Sequence, residues 1–141
     1  EKYKSIRREN SATESSIITA LAELYLEAGN PDKSEEYYRQ ALALQPEDPG
    51  IMNNLAYFLI DNDRDINEGL ELTENELKTN PDNYKYLHTK GWGLFKQGKI
   101  KESYETLQKS CDLRRQNAIY NNEAFLHLEE ARKAATTLKS E

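Results

Sequence analysis

A pattern that returns every 34 or 35 residues constrains this chain more than any other feature. Pro46 and Pro81 each close a polar run and lie 35 positions apart. Upstream, a triplet of a large, a small and a second large position returns 34 and then 35 positions later. Its three copies are Leu21, Ala22, Tyr25; Leu55, Ala56, Leu59; and Lys90, Gly91, Leu94. One unit of this length cannot bury a core alone, so the pattern predicts stacked units that share a continuous core.

Each unit is predicted to be a pair of helices. The first helices are expected at 12–28, 49–62 and 84–97, and the second helices at 31–45, 66–79 and 100–113. Capping signals support these starts. They are the capping boxes Ser11 with Glu14 and Asp65 with Glu68, and the pairs Asn30–Pro31 and Asp48–Pro49. The small residues Ser34, Gly69 and Ser103 are expected to let each second helix approach its partner closely.

The last segment, 118–141, is predicted to form a longer closing helix with a polar outer side. Its apolar stripe has helical spacing. The members of the stripe are Tyr120, Ala124, Leu128, Ala131, Ala135 and Leu138. A polar outer face is what the end of a stacked array needs, because an exposed apolar end would promote association.

Composition excludes several classes of function. The net charge is −6 and no long basic cluster occurs, which argues against a nucleic-acid partner. No apolar run approaches the length of a membrane span, and no signal peptide is visible. The single cysteine, Cys111, excludes an intrachain disulfide and is expected to be a small core residue. The chain begins at "EKYKS" without methionine, which suggests a mature or excised piece of a longer protein.

The helix pairs resemble the tetratricopeptide repeat family, an all-α superhelix of helix–turn–helix units. The first unit, 15–48, carries the family signature at Leu21, Ala22, Tyr25, Gly29, Ser34, Tyr38, Ala41 and Pro46. The second, 49–83, keeps Leu55, Ala56, Leu59, Gly69 and Pro81. The third, 84–117, keeps Gly91, Leu94, Gly98, Ser103, Leu107 and Ser110 but lacks the closing proline. Residues 1–14 then form an N-terminal segment, interpreted as the tail of a preceding repeat helix. The phrases "NNLAYFLID" and "GWGLFKQGKIKES" resemble bacterial members.

The resemblance implies a protein–protein interaction module that holds a peptide or partner segment in a concave groove lined by the first helices. The groove residues that it implies are Glu23, Leu26, Asn53, Asn54, Tyr57, Ile60, Lys85, His88, Trp92, Phe95 and Lys96, with Thr19, Glu27 and Asp61 beside them. Tyr57 and Trp92 hold equivalent places in successive units. Two large aromatics suit peptide binding, and the alternative is that they pack against each other or against the closing helix.

Some family members clamp the carboxylate of a chaperone tail with basic and amide side chains. The corresponding positions here are Thr19, Glu23, Asn54, Lys85 and Thr89. Only Asn54 and Lys85 fit, and the charge of Glu23 would repel an anion. A chaperone-tail clamp is therefore not expected.

Catalytic and metal-binding patterns are absent from the sequence, so we expect no enzyme, no cofactor and no metal. His88 is the one candidate for acid–base chemistry or metal binding, and a solvated histidine is the simpler expectation. Lys90 stands where the repeat has leucine, and its stem is expected to pack while its amine reaches water. No packing reason for Gly93 is evident from the pattern.

A second reading remains open. The chain would be an architectural stretch of a longer solenoid, with a role in spacing or self-association, and a homo-oligomer would fit it. The residues identify neither the partner nor the compartment. Resemblance to bacterial members is compatible with the cytoplasm or with the periplasm and envelope.

Overall fold

In a computed structural model, residues 2–138 are described, with side chains from residue 9 onward except residue 11. Across that range the fold is all-α, as predicted. Its helices are α1 (Lys2–Glu27), α2 (Pro31–Leu44), α3 (Pro49–Asp61), α4 (Ile66–Thr79), α5 (Tyr84–Lys96), α6 (Ile100–Gln116) and α7 (Asn122–Thr137). The chain divides into two compact units that do not coincide with the repeats. The first unit ends at Phe58 and the second unit begins at Leu59, inside α3.

Helix α1 differs from the prediction at its start. Ser11 and Glu14 lie inside one continuous helix, so the capping box expected there is wrong. No glycine or proline occurs before Gly29, and nothing in the backbone therefore stops the helix. The hydroxyls of Thr13 and Ser16 donate to carbonyls four residues earlier, which lets polar residues lie within the helix. No turn separates residues 2–14 from the first repeat helix.

The starts of α2, α3 and α4 have the expected caps, and α6 begins without a side-chain cap. The side chains of Asn30, Asp48 and Asp65 accept hydrogen bonds from the backbone N–H three residues later, at 2.9 to 3.1 Å. Asn83 and Asn121 cap α5 and α7 in the same way. Each asparagine or aspartate accepts a hydrogen bond from a backbone N–H that has no carbonyl partner within the helix.

Helix ends use the left-handed backbone conformation. Gly29 and Gly98 follow α1 and α5 with φ of 77° and 76°. Asp63 and Ala118 take the same role after α3 and α6 with φ of 53° and 54°. In all four turns an N–H bonds to the carbonyl five residues earlier, which satisfies an end carbonyl of the helix.

The first unit is held by aromatic and small residues. Ala22 and Ser34 are fully buried where α1 packs on α2. The rings of Tyr25 and Tyr37 stack with centroids 5.3 Å apart, which links the two helices. Tyr38 of α2 lies 5.2 Å from Phe58 of α3, so α3 joins the same core.

The second unit is built around α5, which packs against α4 and α6. Gly91 lies against Leu107 of α6, where an added Cβ would stand 2.6 Å from Leu107 Cγ. Gly93 lies on the other side, where a Cβ would stand 2.7 Å from Leu70 Cδ2 and 3.0 Å from Ile60 Cδ1. Gly93, which the repeat pattern left unexplained, therefore permits a close approach of α5 to α4.

Hydroxyl groups of α6 hold α5 at close range. Ser103 Oγ donates to the carbonyl of Gly91 at 2.8 Å, and Ser110 Oγ donates to the carbonyl of Tyr84 at 2.7 Å. Each bond satisfies a buried hydroxyl, because both serines are fully buried. The small signature residue Ser103 thus supplies both space and a bond.

Helix α7 follows the predicted closing helix but covers less of the expected stripe. Ala124 and Ala131 are fully buried, and α7 packs mainly on α6. Tyr120 and Leu138, at the two ends of the stripe, are exposed, because α7 itself spans only Asn122–Thr137. Its outer side also carries the exposed Leu126, so that side is not wholly polar.

Candidate functional site

Trp92 is packed inside the second unit. Its side chain is 8% exposed, and its Nε1 donates to Asp61 Oδ1 at 2.8 Å. The indole stacks on Phe95 with centroids 5.0 Å apart and on His127 of α7 with centroids 3.7 Å apart. The structure therefore corrects the expectation of an exposed groove residue, and the alternative of packing against the closing helix is what it shows.

His88 is also buried, so the expectation of a solvated histidine was wrong. Its Nε2 lies 3.0 Å from Nδ1 of His127, and the two rings stack at 5.1 Å. Burial, followed by the charges of His127 and Arg114, lowers the pKa of His88 to about 3. The pKa of His127 is also lowered by burial. At neutral pH the pair is therefore uncharged, with one ring donating to the other.

Lys96 is committed to structural contacts. Its Nζ lies 3.2 Å from the carbonyl of Asp61 and 3.0 Å from Oδ2 of Asp63, and 5.6 Å from the centroid of Trp92. These contacts tie the end of α5 to the end of α3. Lys96 is therefore less available to a partner than its place in the repeat implies.

The remaining predicted groove residues differ in exposure. Ile60 is fully buried, which removes it from any surface. Glu23 and Lys85 are exposed. The half-buried members of the set are Leu26, Asn53, Asn54, Tyr57 and Phe95.

An open cleft in the first unit brings two of the predicted residues together. It has a volume of about 400 Å³ and lies between α1 and the start of α3. Glu23, Asn54 and Thr19 line it, and Asp48 adds a second carboxylate. The other lining residues are mostly small: Ala12, Ser15, Ser16, Ala20, Gly50 and Ile51. The small side chains leave room for an added chain, and the cleft carries negative charge.

Cys111 and Arg114 of α6 are buried near α7. Cys111 is fully buried, with Sγ 3.5 Å from the carbonyl of Ala124, and burial raises the pKa of its thiol. This environment fits the expected core role, because thiol reactivity needs the thiolate. Arg114 lies over the ring of Tyr84, 4.7 Å from its centroid, and burial lowers the pKa of Arg114. The sequence did not single out Arg114, since an arginine in the last turn of a helix is ordinary.

Lys90 agrees with the expectation of a packed stem and a solvated amine. The side chain is half-buried, and Nζ lies 3.4 Å from Oε1 of the exposed Glu74 on α4. Such a pair contributes little stability.

Comparison with known proteins connects this architecture to a family. Residues 16–58 match the tetratricopeptide repeat family. The described fold is similar to the crystal structure of the Sgt2 TPR domain from Aspergillus fumigatus, with a TM-score of 0.75 and 17% identity, covering 91% of this chain and 83% of that one. The family match is limited to residues 16–58, whereas the likeness in fold extends over most of the chain.

Two further proteins are similar to this chain, one in fold and one in sequence. The first TPR of Spaghetti (RPAP3), solved bound to the HSP90 peptide SRMEEVD, has a TM-score of 0.68 and 16% identity, covering 88% of this chain and 94% of that one. A TPR repeat-containing protein of Methanocaldococcus jannaschii is 33% identical over 104 residues, 74% of this chain. The chain spans only 17% of that relative's length.

Two searches of the described residues found neither a metal-binding cluster nor a membrane-spanning helix. Within residues 2–138, no group of three or more His, Cys, Asp or Glu side chains is placed to hold a metal ion. In the same range, no helix combines the length and apolar content needed to cross a bilayer.

Proposed function

We propose that the chain is a protein-interaction scaffold whose tetratricopeptide repeats hold a peptide or extended partner segment, and that it performs no catalysis. The observation that carries this proposal is the tetratricopeptide repeat fold, together with an open cleft lined by predicted groove residues. The first TPR of Spaghetti (RPAP3) and the second TPR domain of human RPAP3, both similar to this chain in fold, were solved with bound peptides, which supports the same use here.

The cleft argues against an acidic chaperone tail as the ligand. Its carboxylates, Glu23 and Asp48, would repel a peptide such as SRMEEVD, and none of the lining residues among the described side chains is basic. Asn54 is the lining residue best suited to bond a peptide backbone, because its amide both donates and accepts. We therefore propose a partner that lacks an acidic C-terminal motif.

Selection from a random peptide library on the immobilised chain tests this function. We expect enriched peptides whose binding falls at least tenfold when Glu23→Lys reverses a cleft charge. Glu14→Lys is the matched control, because Glu14 is an exposed residue of α1 that does not line the cleft. Failure to enrich any peptide, or equal loss with both variants, would contradict the proposal.

An architectural role is a second candidate, favoured by an exposed apolar stripe on α1. Ile17 and Leu24, seven residues apart, are 59% and 58% exposed and lie on one face of the helix. The archaeal relative, of which this chain spans 17%, shows that similar repeats occur within longer proteins. In sedimentation experiments, this role predicts association that rises with concentration and is lost with Ile17→Glu. A monomer at all concentrations would exclude self-association.

A further inference from the structure

The chain's two histidines meet across the second unit, although 39 positions separate them. His88 belongs to α5 and His127 to α7, and we call this pair the histidine latch. Its nitrogens are 3.0 Å apart, which is a hydrogen bond only while one of them lacks a proton. With both rings protonated, two N–H groups and two positive charges would oppose each other at that distance.

The latch lies where α7 covers Trp92. The imidazole of His127 stacks on the indole at 3.7 Å, nearly parallel, and the other neighbour of the indole, Phe95, stacks at 5.0 Å. Helix α7 touches α5 at few other places, since it packs chiefly on α6. The contact between α5 and α7 therefore depends strongly on the state of these two rings.

Charged groups from four helices surround the latch. Near His127 are Asp61 at the end of α3, Lys96 of α5, and Glu123 and Glu130 of α7. Near His88 is Arg114 of α6. The three carboxylates favour a charged imidazole and the two cations oppose it. Burial outweighs the carboxylates, because the net effect on both histidines still favours the neutral form.

We propose that the histidine latch is an acid-sensitive contact that holds α7 on α5 at neutral pH and releases it when the imidazoles take up protons. Released imidazoles reach water, where their charge is well solvated. In the docked state His88 is buried and His127 is half-buried against the ring of Trp92. This inference concerns α7 alone and does not depend on peptide binding.

The direction of the pH dependence follows from linkage. Both pKa values are lower in the docked than in the released state, where an ordinary histidine titrates near 6.5. The docking stability is therefore complete above pH 6.5 and is lost as pH falls from there toward about 3, the pKa of docked His88. From pH 7 to pH 5, His88 alone should raise the equilibrium constant for release about 25-fold.

The reactivity of the Cys111 thiol measures the opening of α7. Cys111 is the only cysteine, and Ala124 of α7 covers its buried thiol. We measure the rate at which this thiol reacts with 4,4′-dithiodipyridine and divide it by the rate for the urea-unfolded chain at the same pH. This ratio reports how often α7 opens, and for the full chain we expect it to rise at least tenfold from pH 7 to pH 5. Low concentrations of urea should change the ratio only weakly, since a local opening exposes little surface.

Variants that cannot take up a proton separate the latch from other acid effects. Gln at position 88 and Asn at position 127 place amide atoms near the two bonded nitrogens, so His88→Gln/His127→Asn keeps polar contact without titration. Whatever its extent of opening at pH 7, the rate ratio of this variant should change less than threefold between pH 7 and pH 5. The single variant His88→Gln should give an intermediate response.

Three outcomes would overturn the proposal. The first is a ratio for the wild-type chain that stays constant to pH 5. The second is an equal acid response in the wild-type chain and the double variant. The third is an acid response with the urea dependence of global unfolding, which would show that α7 does not open alone.

Discussion

At the scale of single residues, the neighbours of Trp92 decide its role. A tryptophan at this repeat position can face a groove, and Tyr57 at the equivalent position of the preceding repeat favours that interpretation. The structure instead stacks the indole on His127 and Phe95 and bonds its nitrogen to Asp61. No repeat pattern could predict this, because His127 lies outside the repeats and its position depends on how α7 packs.

Replacing Trp92 should therefore destabilise the protein. Trp92→Ala removes a nearly fully buried ring, and such changes cost about 3–5 kcal/mol. For a chain of this size we expect the melting temperature to fall by roughly 10 °C or more, measured by circular dichroism. Trp92→Phe keeps the stacking but loses the bond to Asp61, and should lower it much less. A fall of only one or two degrees for Trp92→Ala would contradict the burial described here.

Gly91 and Gly93 should differ in their response to alanine. At Gly91 the new Cβ meets the branched Cγ of Leu107 at 2.6 Å and the Leu107 backbone nitrogen at 3.2 Å, so α6 itself must move. At Gly93 the first atoms met are the methyl ends of Leu70 and Ile60, which can rotate away. Alanine gains about 1 kcal/mol of helix propensity in both variants.

We expect Gly91→Ala to lower the free energy of unfolding by about 1–3 kcal/mol, and Gly93→Ala to lower it less. Urea unfolding of the two variants side by side measures the difference. Equal loss, or a larger loss at position 93, would contradict this difference, because it would show that α4 is packed against α5 at least as rigidly as α6 is.

At the scale of helices, the sequence predicted α2 to α5 within about one residue of their observed ends, because proline, asparagine, aspartate and glycine mark these ends with specific backbone geometry. It failed at α1, where Ser11 and Glu14 have the spacing of a capping box but no residue interrupts the helix. Local spacing is insufficient there, since an N-cap also requires a non-helical backbone.

The end of α6 offers a test of helix termination. Ala118 adopts φ of 54°, which strains a residue with a Cβ. Ala118→Gly should therefore raise the free energy of unfolding by about 0.5–1 kcal/mol. The matched change Gly98→Ala, at φ of 76° with no atom within 4 Å of the new Cβ, should lower it by about 1 kcal/mol through the backbone alone. Midpoints of urea unfolding with unchanged slope measure both effects. Loss of stability in Ala118→Gly would contradict this explanation.

At the scale of the whole chain, the repeat period was enough to predict the fold, because the family match, the solved relatives and the helix order all agree with it. It predicted the candidate site only in part. Glu23 and Asn54 line one cleft, since both lie on first helices at positions that the repeat directs to the same side. His88, Trp92 and Ile60 are buried, and that burial depends on side-chain packing within the second unit.

Titration of the isotope-labelled chain with a library-selected peptide, followed by amide chemical shifts, tests the proposed scaffold most directly. We expect saturable shifts centred on Thr19, Glu23 and Asn54, and their loss in Glu23→Lys but not in Glu14→Lys. Shifts confined to α6 and α7, or no saturable shifts with any selected peptide, would contradict the claim that the first-unit cleft binds a partner segment.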